Sequence, residues 1–167
     1  MQKTKLQREN GFTFIEIIAV VVLIGILAYV AVARLNDSHK RLQLETVVRK
    51  ITSDTRFAQQ LALTQRTGTR IYIDQTNNRY YLKWESGAYI ENPVGGSDFI
   101  IQFGQGKFRD VTITGTAFTG GRLDFDSVGS PLNAGAAFSG TLTLVTFNNS
   151  KRIRITANTG LLSIEDF

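Results

Sequence analysis

An apolar run near the N-terminus is the strongest pattern in the chain. The 22 residues from Phe12 to Ala33 include one side chain that is charged at neutral pH, that of Glu16. A helix rising about 1.5 Å per residue would cover about 33 Å over this run, enough to span the hydrocarbon core of a bilayer. We therefore predict a transmembrane or filament-core helix over residues 12–33.

An amphipathic pattern follows the apolar run. Apolar residues recur at helical spacing, on one stripe, at Leu44, Val47, Val48, Ile51, Ala58, Leu61 and Ala62. No proline interrupts residues 12–66, so one helix can extend through them, with Asn36-Asp37-Ser38 as the place for a kink. Thr67-Gly68 is the expected stop. We predict that residues 34–66 form an amphipathic helix that continues into a globular domain.

Beyond residue 66 the pattern changes to short β-strand-like runs of residues separated by turns. The predicted strands cover residues 69–74, 79–85, 99–103, 111–114, 122–125, 141–147, 151–157 and 161–165. Asn-containing turns are expected at residues 75–78, 148–150 and 158–160. Helix followed by antiparallel strands predicts an α+β fold, in which the amphipathic helix packs on an antiparallel β-sheet domain formed by residues 67–167.

The start of the apolar run carries a specific motif. Gly11 is followed by Phe12, and Glu16 lies four positions later, inside an apolar segment where a carboxylate costs roughly 2.5–3.5 kcal/mol. These residues resemble the class III signal of type IV pilins and type II secretion pseudopilins. The resemblance implies a leader peptide of residues 1–11, cleavage between Gly11 and Phe12 by a prepilin peptidase, and N-methylation of Phe12. It also implies that Glu16 neutralises the terminal amine of a neighbouring subunit during assembly.

Two simpler interpretations compete with this one. Ala31-Val32-Ala33 fits the cleavage rule of an ordinary secretory signal peptide, but the apolar region is longer than the usual 7–15 residues. A plain membrane anchor would give no reason for Glu16. The pilin resemblance implies a single-pass protein of the bacterial inner membrane, contacting lipid before assembly, with its globular domain in the periplasm and later in a filament. Its partners would be other pilin or pseudopilin subunits.

The globular half resembles the GspH/FimT group of minor pilins and pseudopilins. The resemblance rests on the helix end around Arg56 and Ala62, on the sequence Phe125-Asp126-Ser127-Val128-Gly129-Ser130-Pro131, and on a terminal hairpin from Lys151 to Ile164. Within this group, the Phe-Asp-x-x-Gly-x-Pro pattern of residues Phe125–Pro131 resembles most the C-type minor pilin of mannose-sensitive haemagglutinin pili. A structural subunit at or near the filament tip is the expected function.

A basic cluster supports an alternative function. Lys151-Arg152-Ile153-Arg154 resembles the basic tail of DNA-binding FimT-type minor pilins, with Lys151 in place of a glycine. In a strand, Arg152 and Arg154 would share one face while Ile153 points to the core. Such cations could contact DNA phosphates on a competence pilus. A solvated strand face is the simpler interpretation, and we expect weak or absent DNA binding.

Composition limits the chemistry. The chain carries a net charge of +5 and no cysteine, which excludes disulfides and catalytic thiols. His39 is the single histidine, so a histidine-based triad or zinc site lacks its other members. We therefore predict no enzyme activity, no cofactor and no metal site.

Overall fold

The N-terminal helix α1 begins at a threonine cap. The computed structural model describes residues 12–166, with the side chains of residues 31–37 excepted. Helix α1 covers Phe14–Gln65. The backbone N–H of Glu16 donates to the Thr13 Oγ1 at 3.3 Å, as in a helix N-cap. The helix continues through Asn36-Asp37-Ser38, the stretch at which the sequence would allow a kink or a local break.

The helix ends slightly earlier than the sequence predicts. Its last residue is Gln65, and Arg66 adopts a left-handed conformation with φ of 49°. A left-handed residue directly after the last turn is a common helix terminator, although glycine usually occupies it. The chain divides into two compact units between His39 and Lys40.

Nine antiparallel strands form two sheets in the second unit. The first sheet has the order β3-β2-β1-β5-β6 and the second the order β4-β7-β8-β9. The strands are β1 Thr69–Asp74, β2 Arg79–Trp84, β3 Ile100–Gln102, β4 Ile113–Gly115, β5 Arg122–Phe125, β6 Pro131–Asn133, β7 Thr141–Phe147, β8 Lys151–Thr156 and β9 Leu162–Asp166. Two short 3-10 turns cover Gly106–Phe108 and Thr119–Gly121. The α+β prediction is confirmed.

The amphipathic stripe of α1 lies in the core, as predicted. Its members from Leu44 to Ala62 are buried, except Leu61, which is partly buried. Buried threonines on this helix are satisfied within it, since the Thr52 hydroxyl donates to the Val48 carbonyl and the Thr55 hydroxyl to the Ile51 carbonyl. The helix is tied to the first sheet by Thr69, whose hydroxyl donates to the Ala58 carbonyl at 2.9 Å.

Two asparagines hold the irregular segment 110–113 between the sheets. Asn78, in the β1–β2 turn, accepts from the Ile113 N–H through its side-chain oxygen and donates to the Val111 carbonyl. Asn148, in the β7–β8 turn, accepts from the Thr112 N–H and donates to the Asp110 carbonyl. Both asparagines have φ of 49°, a conformation that asparagine tolerates better than most residues. The predicted turns therefore also carry tertiary contacts.

Some predicted strand boundaries differ from the structure. The strand expected at residues 111–114 begins at Ile113, because the backbone of 111–113 is held by the two asparagine side chains. Strand β6 was not predicted, since it has three residues and begins with a proline. Proline is tolerated there as the first residue of a strand at the edge of the sheet.

Candidate functional site

The start of α1 presents the residues of the predicted processing motif. Gly11 lies outside the described residues, whereas Phe12 is described and is 81% exposed. Thr13 caps the helix, and Glu16 occupies its first turn, so Thr13-Phe14-Ile15-Glu16 matches the Thr-x-x-Glu pattern of a capping box. A carboxylate at this position also interacts favourably with the helix dipole. Glu16 therefore has a local reason to be near the helix start, which sequence reasoning missed.

The remainder of this segment exposes apolar side chains. Phe12, Glu16, Ile17, Val20 and Val21 line a shallow groove of about 250 Å³ on the helix. Large apolar side chains between Phe14 and Val30 are exposed in the isolated chain. Within the residues that the structure describes, no helix satisfies both the length and the hydropathy required to cross a membrane.

The basic residues of strand β8 lie beside carboxylates of strand β9. The Arg152 Nε lies 3.2 Å from the Glu165 Oε2, and the Arg154 Nη1 donates to the Glu165 Oε1 at 3.1 Å. Lys151 Nζ forms an ion pair with Asp166. Antiparallel pairing of β8 with β9 produces these contacts, because Arg152 is directly opposite Glu165 and Lys151 is opposite Asp166. All three cations of the candidate DNA-binding cluster are thus partly neutralised.

The cluster is also divided between two faces of the strand. Arg152 and Arg154 share the partly exposed face, whereas Ile153 is fully buried, as the alternation predicted. Lys151 alternates with the two arginines, and its side chain is only 14% exposed. It lines a separate cleft of about 420 Å³ with Lys40, Arg41 and Asp166. The structure therefore brings Arg152 and Arg154 together but separates Lys151 from them.

Glu165 and Asp166 are charged residues whose importance sequence reasoning missed. The signal was present in the chain, since Asn158-Thr159-Gly160 predicted a tight turn between two strands. Counting outward from that turn places Glu165 opposite Arg152. Asp124 does not take part in this pairing. Asp124 belongs to β5 in the other sheet, where its neighbours are Arg70 and Arg122.

A charged cleft of about 520 Å³ surrounds Asp124. Asp124 is buried, and its Oδ1 lies 3.0 Å from the Arg122 Nε and 3.9 Å from the Arg70 Nε. Neither the Asp124 Oδ1 nor the Arg122 Nε forms a hydrogen bond among the described residues, so this ion pair is poorly aligned. Burial raises the pKa of the Asp124 carboxyl above its ordinary value, while the two arginines oppose that rise.

The first sheet carries a tyrosine cluster on the face opposite the core. The rings of Tyr72 and Tyr81 are stacked with centroids 5.0 Å apart, and the ring of Tyr89 lies 5.8 Å from that of Tyr81. Arg79 and Lys83 each lie 5.6 Å from the Tyr81 ring centroid. Burial is the main reason that the pKa of the Tyr81 hydroxyl is raised. This surface was not identified from the sequence.

The described part of the chain holds no group of three or more histidine, cysteine or acidic side chains placed to bind a metal ion. The clefts around Asp124 and Lys151 each contain oppositely charged side chains. The main surface features are the charged cleft around Asp124, the ion pairs between β8 and β9, and the tyrosine cluster of the first sheet.

Two family models match the chain, one at its N-terminal segment and one at its globular part. The prokaryotic N-terminal methylation motif matches residues 6–31, across the Gly11, Phe12 and Glu16 register. The family model for type II transport protein GspH matches residues 47–160, about two thirds of the chain. The searches of curated proteins and of solved structures each gave no significant match. The GspH match covers about the last third of α1, the first sheet and most of the second, and the chain belongs to the GspH family of pilin-like proteins.

Proposed function

We propose that this protein is a minor pilin or pseudopilin that assembles into a type II secretion pseudopilus or a type IV pilus, at or near its tip. The observation that carries the proposal is the combination, in one chain, of an N-terminal methylation motif and a GspH domain. The role is structural rather than catalytic, with other pilin or pseudopilin subunits as partners.

The start of α1 fits the proposed processing. Cleavage after Gly11 would leave Phe12 as a methylated N-terminus one residue before the Thr13 cap. The apolar side chains of residues 14–30 would lie in the inner membrane before assembly and among neighbouring helices afterwards. The globular unit would be in the periplasm and then on the filament.

Glu16 is the residue proposed to guide assembly. Its carboxylate would pair with the terminal amine of a neighbouring subunit, because an unpaired charge in apolar surroundings is much more costly than a paired one. The Thr-x-x-Glu pattern would give the Glu16 side chain a second, local role at the helix start, where its backbone N–H already donates to Thr13. An informative experiment has to separate these two roles.

Replacing Glu16 by glutamine makes that separation, since glutamine preserves the capping pattern and removes the charge. We expect Glu16→Gln to be inserted and cleaved normally but to be reduced at least about tenfold in sheared filaments, because the pairing charge is lost. Glu45→Gln, which changes another carboxylate of α1, is the matched control and should assemble normally. Mass spectrometry should find methylated Phe12 as the N-terminus of all three proteins.

Two results would contradict the proposal. An N-terminus at Arg34 would show cleavage by ordinary signal peptidase. Normal assembly of Glu16→Gln would show that its charge does not guide incorporation.

DNA reception on a competence pilus is the alternative function, with Lys151, Arg152 and Arg154 as contacts. We do not favour it, because Glu165 and Asp166 already occupy the positions that phosphates would take.

A further inference from the structure

We propose that the outer face of the first sheet docks a neighbouring filament subunit that presents a carboxylate to Lys83. The docking face consists of Tyr72, Tyr81, Tyr89, Arg70, Arg79 and Lys83. This inference rests on the proposed function, since it supposes that the chain enters a filament.

The docking face is the side of the sheet turned away from the core. In strands β1 and β2, the fully or almost fully buried residues Ile71, Ile73, Tyr80 and Leu82 alternate with partly exposed ones. Successive side chains of a strand point to opposite faces, so Tyr72 and Tyr81 lie on the outer side. No helix covers them among the described residues, because α1 contacts the inner side through Thr69 and Tyr80.

A row of side chains crosses four strands on this face. Tyr72 is in register with Arg122 on one side and with Tyr81 on the other, and Tyr81 is in register with Ile100. The row therefore has a cation at one end, two stacked rings in the middle and a half-exposed apolar residue at the edge strand. Tyrosine and arginine dominate the energetically important centres of protein interfaces.

The rings are held rigidly before any partner arrives. Stacking fixes Tyr72 against Tyr81, while Arg79 is kept near Tyr81 by its 2.9 Å ion pair with Asp74. Lys83 Nζ lies 4.3 Å from the centroid of Tyr89. A preordered surface loses less conformational entropy when it binds, which favours docking.

Charge indicates the chemistry of the partner. Three cations on this side of the sheet, Arg70, Arg79 and Arg122, have a carboxylate neighbour among the described residues. Asp74 pairs with Arg79, and Asp124 lies between Arg70 and Arg122. Lys83 has tyrosine rings rather than a carboxylate as its described neighbours, so it can accept a carboxylate from outside.

Stacking geometry disfavours single-stranded nucleic acid as the partner. Binding of that kind uses ring faces on which bases stack. Tyr72 and Tyr81 already cover one face of each other, and Arg79 and Lys83 lie over Tyr81. A protein surface with an acidic group is the better match.

The absence of cysteine makes the docking face directly testable. A single Lys83→Cys substitution should react with a maleimide reagent in the detergent-solubilised full-length protein. In sheared filaments we expect its labelling rate to fall at least about tenfold, because a docked subunit excludes the reagent. Ser163→Cys, an exposed position on the second sheet, is the control and should be protected much less.

Charge substitution tests the acidic partner. Lys83→Glu should reduce incorporation into filaments several-fold, because like charges repel across an interface, whereas Lys83→Gln should have a smaller effect. Both changes are at a partly exposed side chain and should leave the fold intact.

Several outcomes would overturn the inference. These are equal labelling of Lys83→Cys in filaments and in isolated protein, equal protection of both cysteines, and normal incorporation of Lys83→Glu. Protection of Lys83→Cys in isolated protein by an added single-stranded oligonucleotide would identify nucleic acid as the partner instead. A protein that never reaches filaments would contradict the proposed function itself, which is a distinct result.

Discussion

Two adjacent glycines show how much a single Cβ atom can matter in this fold. Gly120 and Gly121 have φ of 61° and 66°, in the left-handed region that favours glycine. A Cβ at Gly120 would meet no atom within 4 Å, whereas one at Gly121 would lie 2.3 Å from the Ile73 carbonyl oxygen. That oxygen belongs to the backbone of β1 and cannot rotate away.

Gly120 and Gly121 therefore allow the cost of a left-handed backbone conformation to be compared with the added cost of a steric clash. We expect Gly120→Ala to lower the free energy of unfolding by about 1–2 kcal/mol, the cost of a left-handed alanine. Gly121→Ala should cost about 3 kcal/mol or more, since β1 must also shift. Urea unfolding of the detergent-solubilised protein, followed by the fluorescence of the single tryptophan, Trp84, measures both. Equal costs would show that the turn moves away from β1 easily.

Residue-level chemistry was only partly predictable from the sequence. The buried position of Ile153 between Arg152 and Arg154 follows from strand alternation and was anticipated. The pairing of those arginines with Glu165 depends on strand register, which a turn sequence suggests but does not specify. The stacking of Tyr72 on Tyr81 depends on the register of the β1–β2 hairpin, which the predicted turn at residues 75–78 suggests but does not specify. The position of Tyr89 depends on its bridge to Lys83, which no local pattern indicated.

At the scale of elements, helix α1 is joined to two turns by one side chain. The Gln59 Nε2 donates to the Gly129 carbonyl at 2.9 Å and lies 3.4 Å from the Thr159 carbonyl. Gly129 follows β5, and Thr159 lies between β8 and β9, so Gln59 links the helix to both sheets. Gly160 packs so closely that a Cβ there would lie 2.5 Å from the same Nε2.

Removing this link should destabilise the globular unit. We expect Gln59→Ala to lower the free energy of unfolding by about 1–3 kcal/mol, because it leaves the Gly129 carbonyl without its donor. Gln60→Ala, one position along, changes an exposed side chain and should cost less than about 0.5 kcal/mol. Urea midpoints of the two variants, measured by Trp84 fluorescence, make the comparison. A Gln59→Ala midpoint no lower than that of Gln60→Ala would show that the two turns need no tie to α1.

The element pattern was largely predictable because its signals are local. Strand β1 and strand β5 have the predicted bounds, and the stripe of α1 is buried as expected. The division into two sheets was not predicted, since it depends on which strands pair over long separations. Tyr72 of β1 pairs with Arg122 of β5, 50 residues later, for example. Strand β4 lies between these two strands in the chain but pairs with β7 in the other sheet.

At the scale of the whole molecule, many charges of the described residues are arranged in pairs of opposite sign. Net charge alone, +5 for the full chain, would suggest affinity for nucleic acid. The structure places Arg152 and Arg154 on either side of Glu165, so the exposed face of the second sheet is close to balanced in charge. A structural subunit and a DNA receptor should therefore differ in their affinity for DNA.

Glu165→Gln should reveal the latent affinity of this face. We expect the full-length protein in detergent to bind duplex DNA weakly or not at all. Glu165→Gln should bind more tightly, because Arg152 and Arg154 lose the carboxylate that neutralises them. The logarithm of its binding constant should fall more steeply with the logarithm of salt concentration, by about two contacts' worth. Asp166→Asn is the control, because it relieves only Lys151, which lies on the opposite face and is mostly buried. Fluorescence anisotropy with a labelled duplex measures the affinity of all three proteins for DNA. Micromolar binding by the unmodified protein would contradict a purely structural role. If that binding is lost in an Arg152→Gln, Arg154→Gln double variant, the protein is a DNA receptor that uses these two arginines.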